Sequence, residues 1–196
     1  MQKILLLAGD FTEDYETMVP FQALSMLGYQ VDAVCPGKKA GEFIKTAIHD
    51  FEGDQTYTEK PGHLFKLTKT FDEVDFDEFD MVVLPGGMPG TLNLKNHDGV
   101  RYVVKQYAKE GRYVGAICAA PTILKSLGVL EGRRATCYPG VEDEMEDVVL
   151  TETAVVVDEN IITSQGVGTA IDFGLKLIEI LDSEEKAKEI ADSIVF

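Results

Sequence analysis

The residue best placed for chemistry is Cys118, which follows the apolar run Val114–Ile117 and precedes Pro121. The run is typical of a buried strand, and the apolar spacing after Pro121 is typical of a helix. A side chain at such a strand-to-helix turn lies at the carboxyl end of the sheet, where open α/β folds place their chemistry. The dipole and the unpaired N–H groups at the start of the helix favour a thiolate. Cys118 is therefore a candidate nucleophile, with a plain buried core residue as the alternative, because free cysteines are often buried.

Glu16 is the candidate acid or base. It follows an apolar strand predicted over Lys3–Ala8 and lies in the first turn of a helix predicted over 14–27. This position would direct its carboxyl group into the crevice at the carboxyl end of the sheet. The neighbouring Glu13 and Asp14 are interpreted instead as acids that stabilise a helix N-terminus.

Two adjacent glycines, Gly86 and Gly87, follow the short buried strand predicted over Met81–Leu84. Because glycine lets the backbone approach a ligand closely, their N–H groups are candidates for binding an oxyanion. A simple turn is the alternative interpretation.

Composition limits the classes of function. A chain of 196 residues with 45% hydrophobic content is long enough to bury one core, so we expect a single domain over 1–196. The formal net charge of −16 argues against binding to nucleic acid or to an anionic membrane, since both require basic surfaces. Neither a signal peptide nor an apolar run of membrane-spanning length is evident, which predicts a cytoplasmic protein.

The three cysteines, Cys35, Cys118 and Cys137, are irregularly spaced. This spacing fits neither a disulfide framework nor a four-ligand zinc site. Because no other ligand spacing typical of a metal site is present, we expect no metal and no cofactor.

Apolar runs alternate with helical segments and glycine-rich turns, which predicts an α/β fold with a mostly parallel sheet and helices on both faces. The predicted strands cover residues 3–8, 30–35, 81–84, 114–117 and 135–138, with a final pair at 154–157 and 161–164. The predicted helices cover residues 14–27, 98–110, 121 to near 128, 141–147 and 169–181, with a last helix after 182. Residues 38–69 are predicted as an excursion from the sheet, with short strands at 47–49 and 63–67 around a polar loop at 52–55.

Four strings, in this order along the chain, resemble those of the ThiJ/PfpI superfamily: Glu13–Pro20, Leu84–Gly87, Ala116–Pro121 and Thr163–Thr169. A fifth stretch, residues 46–57, is similar to the domains of plant glutathione-independent glyoxalases, which carry two copies. The elbow and the glycine loop look more like the parkinsonism-associated deglycase branch.

The resemblance implies a flavodoxin-like sandwich, usually dimeric, with a nucleophilic cysteine at the elbow hydrogen-bonded to a protonated glutamate. Those roles match Cys118 and Glu16, and the backbone donors of the family match Gly86 or Gly87 and Ala119. A homodimer or higher homo-oligomer that acts on a small aldehyde is what the resemblance leads us to expect.

This chain departs from the family pattern at several positions. The protease-like members have a histidine directly after the cysteine, where this chain has Ala119, and an acid in the loop after the glycines, where it has Met88–Thr91. A cysteine peptidase needs a base to protonate the leaving amine, so the peptidase hypothesis is disfavoured. The deglycase-like branch has a histidine before a proline, where this chain has Tyr138, a poor base near neutral pH.

The remaining candidates receive plain structural interpretations. His49, His63 and His97 lie in polar stretches and are interpreted as loop or surface histidines. Cys137 is interpreted as a strand residue, and Tyr138 as a possible wall of the pocket.

Three functions are weighed on this basis. The leading hypothesis is a glyoxalase or deglycase that converts small reactive aldehydes such as methylglyoxal through a Cys118 hemithioacetal, with Glu16 moving protons. The second is a redox-sensing, stress-protective protein in which Cys118 is oxidised. The third is an intracellular peptidase or amidase.

Overall fold

The computed structural model describes residues 1–49 and 60–196 and shows a six-stranded sheet in the order β2-β1-β5-β6-β10-β9. β9 pairs with β10 antiparallel and the other neighbours are parallel, as the sequence predicted. The strands are β1 (Lys3–Leu7), β2 (Gln30–Val34), β3 (Phe43–Ile48), β4 (Lys60–Lys66), β5 (Met81–Leu84), β6 (Tyr113–Ile117), β7 (Arg134–Ala135), β8 (Val149–Leu150), β9 (Val155–Asp158) and β10 (Ile161–Ser164).

Helices flank both faces of this sheet. The α-helices are α1 (Asp14–Ser25), α2 (Gly90–Lys95), α3 (Asp98–Glu110), α4 (Pro121–Ser126), α5 (Ala170–Leu181) and α6 (Glu184–Ile194). Short 3-10 helices cover Phe71–Glu73, Phe76–Glu78, Pro139–Glu144 and Val167–Thr169.

Two predicted elements differ from the structure. The helix predicted over 141–147 is a 3-10 helix at Pro139–Glu144 without a buried residue, because this acidic segment has too little apolar surface to pack a longer helix. The strand predicted over 135–138 is limited to Arg134–Ala135, since the Tyr138 N–H donates to the carbonyl oxygen of Cys118 instead of a neighbouring strand. α2 was not predicted.

The side chains of β1 alternate between two apolar layers. Leu5 and Leu7 pack in the layer covered by α3 and α4, whereas Ile4 and Leu6 pack in the layer covered by α1 and α5. Burying each of these side chains contributes about 1.5–3 kcal/mol, which explains why the strand reads as a continuous apolar run. The parallel arrangement brings the carboxyl ends of β1, β5 and β6 to one edge of the sheet.

The excursion contains an antiparallel hairpin of β3 and β4, longer than the short strands predicted there. β3 also runs beside the segment after β1: the Phe11 N–H donates to the Lys45 carbonyl at 2.7 Å, and the Ala47 N–H donates to the Thr12 carbonyl at 2.9 Å. The polar loop predicted at 52–55 lies outside the described residues. β3 therefore ends at the same edge of the sheet as β1.

Within residues 1–49 and 60–196, we find no helix with the length and apolar character needed to cross a bilayer.

Candidate active site

Cys118 occupies a sharp turn between β6 and α4, as predicted. Its φ of 64° lies in the left-handed region, which costs a non-glycine residue about 1–3 kcal/mol and is common at functional elbows. Two long-range hydrogen bonds hold the strained backbone: the Cys118 N–H donates to the Ser164 carbonyl at 3.0 Å, and the Cys118 carbonyl accepts from the Tyr138 N–H at 2.9 Å. The thiol is only 2% exposed.

Glu16 lies fully buried in the first turn of α1. Its Oε2 accepts a hydrogen bond from the Gly86 N–H at 2.9 Å, and its own N–H donates to the Glu13 carboxylate at 2.8 Å. The Gly86 carbonyl in turn accepts from the Glu13 N–H at 2.8 Å. The loop after β5 therefore fixes both the backbone and the side chain at the start of α1.

Gly86 is required by space as well as by hydrogen bonding. A Cβ at this position would lie 2.6 Å from the Cys118 Cβ, 2.7 Å from Glu16 Oε2 and 2.7 Å from the Ile117 carbonyl oxygen. The structure assigns the Gly86 N–H to Glu16, so the donors left beside the sulfur are the N–H groups of Gly87 and Ala119, which both bond Cys118.

The surroundings of the Cys118 thiol favour its protonated form, whereas the helix start alone would favour a thiolate. Burial raises the pKa of Cys118 well above its ordinary value, and the Glu16 carboxylate, which accepts a hydrogen bond from the thiol, raises it further. The N–H groups of Gly87 and Ala119 lower the pKa, but they do not outweigh burial. The helix start alone predicted a thiolate; the fold adds desolvation and a carboxylate, which oppose it.

His49, interpreted from the sequence as a loop or surface histidine, lies in the site, and that interpretation was wrong. One donor atom from each of Glu16, His49 and Cys118 lies within 4.8 Å of the others. The His49 ring also stacks on Tyr138, with ring centroids 6.1 Å apart and an angle of 14° between the planes. Tyr138, expected from the sequence to line the pocket, thus packs against the face of the His49 imidazole.

No local pattern placed His49 beside Cys118, because its place depends on the pairing of β3 with the segment after β1. The signals available in the sequence were the short strand predicted over 47–49 and the resemblance of residues 46–57 to plant glyoxalase domains, which both include His49. A second missed residue is Asp14, which is 5% exposed and bonds the hairpin: its Oδ1 accepts from Thr46 Oγ1 at 2.5 Å and its Oδ2 pairs with His63 Nδ1 at 3.0 Å.

Of the remaining candidates, His63 and His97 lie outside this cluster, as interpreted, whereas Cys137 is not a strand residue as predicted, because β7 ends at Ala135. His63 is exposed and lies on β4, and His97 caps α3 by accepting from the Val100 N–H. Cys137 is 4% exposed, and burial raises its pKa to about 11, with the charge of Glu142 adding to the effect.

The site also contains the donor set of a metal ion. Cys118 offers sulfur, His49 nitrogen and Glu16 oxygen, a set that suits Zn²⁺ with one open coordination position. Spacing along the chain predicted no such set, since it forms only in three dimensions. Assays of the site therefore need a chelator arm.

A family model described as the DJ-1/PfpI family matches residues 2–180. The chain belongs to the DJ-1/PfpI family. This result confirms the resemblance stated from the four strings, and with it the flavodoxin-like architecture.

Similar proteins and structures agree with this assignment. Protein DJ-1 homolog D of Arabidopsis thaliana is 53% identical over 142 residues, which cover 72% of this chain and 36% of that protein, so the chain spans little more than a third of its plant relative. Deglycase PH1704 of Pyrococcus horikoshii is 36% identical over 165 residues, covering 83% of this chain and 89% of that protein. Among solved structures, Toxoplasma gondii DJ-1, oxidized, has a TM-score of 0.87 and 28% identity, with 100% of this chain and 99% of that chain covered.

Proposed function

We propose that the protein converts small 2-oxoaldehydes such as methylglyoxal to 2-hydroxy acids without glutathione, with Cys118 as the nucleophile. The observation that carries the proposal is the convergence of a thiol, a carboxyl group and an imidazole within 4.8 Å of one another in a largely buried site. Isomerising an aldehyde requires one nucleophile and groups that move protons, and these three side chains meet that requirement.

The pair of Cys118 and Glu16 holds one proton in this mechanism. Two negative charges in contact in a buried site are strongly disfavoured, so ionising the thiol requires its proton to reside on the carboxyl group. In that state the N–H groups of Gly87 and Ala119 stabilise the thiolate. The thiolate then adds to the aldehyde carbon, the C–S bond forms, and Glu16 gives its proton to the aldehyde oxygen.

The hemithioacetal is then isomerised and hydrolysed. A base, Glu16 or His49, removes the hydrogen of the former aldehyde carbon, and the ketone oxygen gains a proton to give an enediol. Protonation of the second carbon, with loss of the hydroxyl proton from the first carbon to the same base, gives a 2-hydroxyacyl thioester. Water then cleaves the thioester to lactate, and the thiol of Cys118 is restored. The first carbon is oxidised and the second is reduced, so no outside redox partner is needed.

Amide hydrolysis is the competing reaction at this site. The name of one relative, Deglycase PH1704, which aligns with 83% of this chain, supports a deglycase-type reaction. His49, however, supplies an imidazole that can protonate a leaving amine, as an amidase requires. Release of an amine from glycated peptides and from unmodified peptide amides should therefore be measured side by side.

Loss of methylglyoxal and formation of lactate without glutathione test the proposal, with and without EDTA. Wild type should turn over, whereas Cys118→Ser should lose about 10³-fold or more and Glu16→Gln about 10²–10⁴-fold in kcat/KM. Cys137→Ala, which removes a different buried thiol, is the matched control and should keep most of the activity. A wild-type protein that makes no lactate under either condition would overturn the proposal.

A redox-sensing role is the second candidate. The N–H groups of Gly87 and Ala119 bond the sulfur of Cys118. Two molecules of peroxide would each transfer one oxygen to the sulfur and leave as water, which converts the thiol to a sulfinate. The same two N–H groups would then bind the sulfinate oxygens. The similar structure of Toxoplasma gondii DJ-1 is of an oxidized form of that protein. Mass spectrometry after peroxide should show two added oxygens on Cys118 and none on Cys137.

A homodimeric state and a cytoplasmic location belong to the same proposal. The resemblance to usually dimeric proteins supports the first, and the acidic composition is compatible with the second. Light scattering coupled to size-exclusion chromatography tests the oligomeric state directly, with a monomer as the contradicting result.

A further inference from the structure

Gly166 lies in the turn between β10 and α5 and faces the thiol. A Cβ at this position would lie 3.9 Å from the Cys118 Sγ, 3.7 Å from Glu16 Oε1 and 3.6 Å from Tyr138 Cδ2. All three distances are ordinary van der Waals contacts, so a methyl group would fit without displacing its neighbours. A carbon atom there would touch the nucleophile, the acid and the aromatic wall at once.

The backbone around Gly166 is fixed, so this position is well defined. The Gly166 N–H donates to Thr169 Oγ1 at 3.1 Å, and the Gly166 carbonyl accepts from the Thr169 N–H at 2.9 Å. The φ of 162° is extended backbone that any residue adopts. Glycine is therefore not required by the turn itself, and the absence of a side chain has to be explained by the space it leaves.

A substrate needs that space. A carbonyl carbon attacked by a thiolate approaches to about 3–3.5 Å before the bond forms, with its oxygen beside a proton donor. Glu16 Oε2 is bound to Gly86, whereas Oε1 lies on the Gly166 side of the site. The substituent on the reacting carbon then extends into the region between Gly166 and Tyr138.

We infer that Gly166 is a specificity-determining residue that sets how large an acyl substituent the aldehyde can carry. This inference rests on the proposed function and deepens it by naming the substrate class: 2-oxoaldehydes with a formyl, acetyl or larger acyl group on the reacting carbon. A methyl group added at position 166 reduces the space for the acyl group on the reacting carbon. The thiol of Cys118 and the carboxyl group of Glu16 stay in place.

The test compares Gly166→Ala with wild type on glyoxal, methylglyoxal and phenylglyoxal. The loss in kcat/KM should grow with the acyl group and be about 10-fold or more greater for phenylglyoxal than for glyoxal. Gly168→Ala is the matched control, because a Cβ at that exposed glycine in the same turn meets nothing within 4 Å. An equal loss on all three substrates, or no loss, overturns the inference.

A second measurement keeps this inference separate from the proposed function. The Cys118 thiol is alkylated with iodoacetamide and with N-benzyliodoacetamide, and its modified peptide is quantified by mass spectrometry. Gly166→Ala should slow the larger reagent about 10-fold more than the smaller one, while Gly168→Ala should not change the ratio. If wild type converts none of the dicarbonyls, the proposed function fails, and the alkylation ratio still decides the role of Gly166: an unchanged ratio overturns it.

Discussion

The elbow and the β3–β4 hairpin both contribute to the site, but they are held in different ways. Cys118 and Glu16 are fixed by backbone hydrogen bonds to Ser164, Tyr138 and Gly86 at the carboxyl edge of the sheet. His49 instead directly follows β3. The β3–β4 hairpin packs Ile44 and Phe65 into the apolar layer covered by α1, and it is also hydrogen-bonded to the segment 10–14.

This difference separates Cys118 from His49. The elbow leaves no room for a side chain at Gly86, since a Cβ there would lie 2.6 Å from the Cys118 Cβ. The polar bonds between the hairpin and residues 10–14 each contribute about 0.5–1.5 kcal/mol, and the buried side chains of Ile44 and Phe65 keep the hairpin in place when one of these bonds is lost. Crowding the elbow should therefore reduce both stability and activity strongly, whereas loss of one polar contact of the hairpin should lower the free energy of unfolding by only about 1 kcal/mol.

The largest effect is expected for Gly86→Ala. The added methyl would lie 2.7 Å from the Ile117 carbonyl oxygen, which is backbone and cannot move aside easily. We expect the free energy of unfolding to fall by about 3 kcal/mol and kcat/KM to fall by about 10²-fold or more. Urea unfolding and steady-state kinetics measure both, with Gly168→Ala as control. A Gly86→Ala variant as stable as wild type would show that the elbow accommodates a side chain at this position.

The next effect is expected for His49→Gln. Removing a proton-transfer group should lower kcat by about 10²-fold, while the free energy of unfolding changes by less than about 0.5 kcal/mol. Alkylation of Cys118 should persist, because the thiol and its N–H donors are unchanged. His97→Gln, at a helix cap outside the site, is the matched histidine control. Full activity in His49→Gln would leave Glu16 as the sole proton carrier.

A smaller loss is expected for Asp14→Ala, which removes the carboxylate that bonds Thr46 and His63. The Thr46 hydroxyl keeps the His63 carbonyl oxygen as an acceptor, so loss of the bond to Asp14 should lower the free energy of unfolding by about 1 kcal/mol and kcat by about 10-fold. Asp14→Asn, which keeps one acceptor oxygen, should recover part of both.

The double variant tests whether Asp14 acts through His49. If it only positions the imidazole, adding Asp14→Ala to His49→Gln should cause little further loss of kcat. Fully multiplicative losses would mean that Asp14 influences the site by another route.

The smallest effect concerns the thiols outside both regions. Burial raises the pKa of Cys35 and of Cys137 from 9.0 to about 11. Above pH 9 the unfolded chain loses these thiol protons, whereas the folded chain keeps them up to about pH 11. These thiols therefore leave the free energy of unfolding unchanged below pH 9 and lower it between pH 9 and about pH 11. At pH 10 the loss should be about 1 kcal/mol for each thiol.

Urea unfolding between pH 8 and pH 10.5 measures this dependence. Cys137→Ala should give a shallower fall than wild type, because one titrating group is gone. An identical slope in both proteins would show that Cys137 does not keep its proton in the folded state.

Local sequence patterns determined the framework and the position of Cys118 at a strand-to-helix turn. Short apolar runs between helical segments are enough to predict a parallel α/β sheet, because strands buried on both faces need apolar side chains at every position. The change from an apolar run to helical spacing after Pro121 predicted the turn at Cys118, and the glycine pair after β5 predicted a close backbone approach. Each of these signals is local, since it depends on neighbours in the chain.

Which residues meet at the site, and how they affect one another, depends on the tertiary structure. The pairing of β3 with the segment after β1 brings His49 to Cys118, and a pairing between distant segments leaves no periodic signal in either one. The direction of the Cys118 pKa also depended on tertiary structure, because desolvation and the contact with Glu16 arise from packing rather than from the helix start. The same holds for Gly166, whose missing side chain acquires meaning only from the three groups that its Cβ would touch.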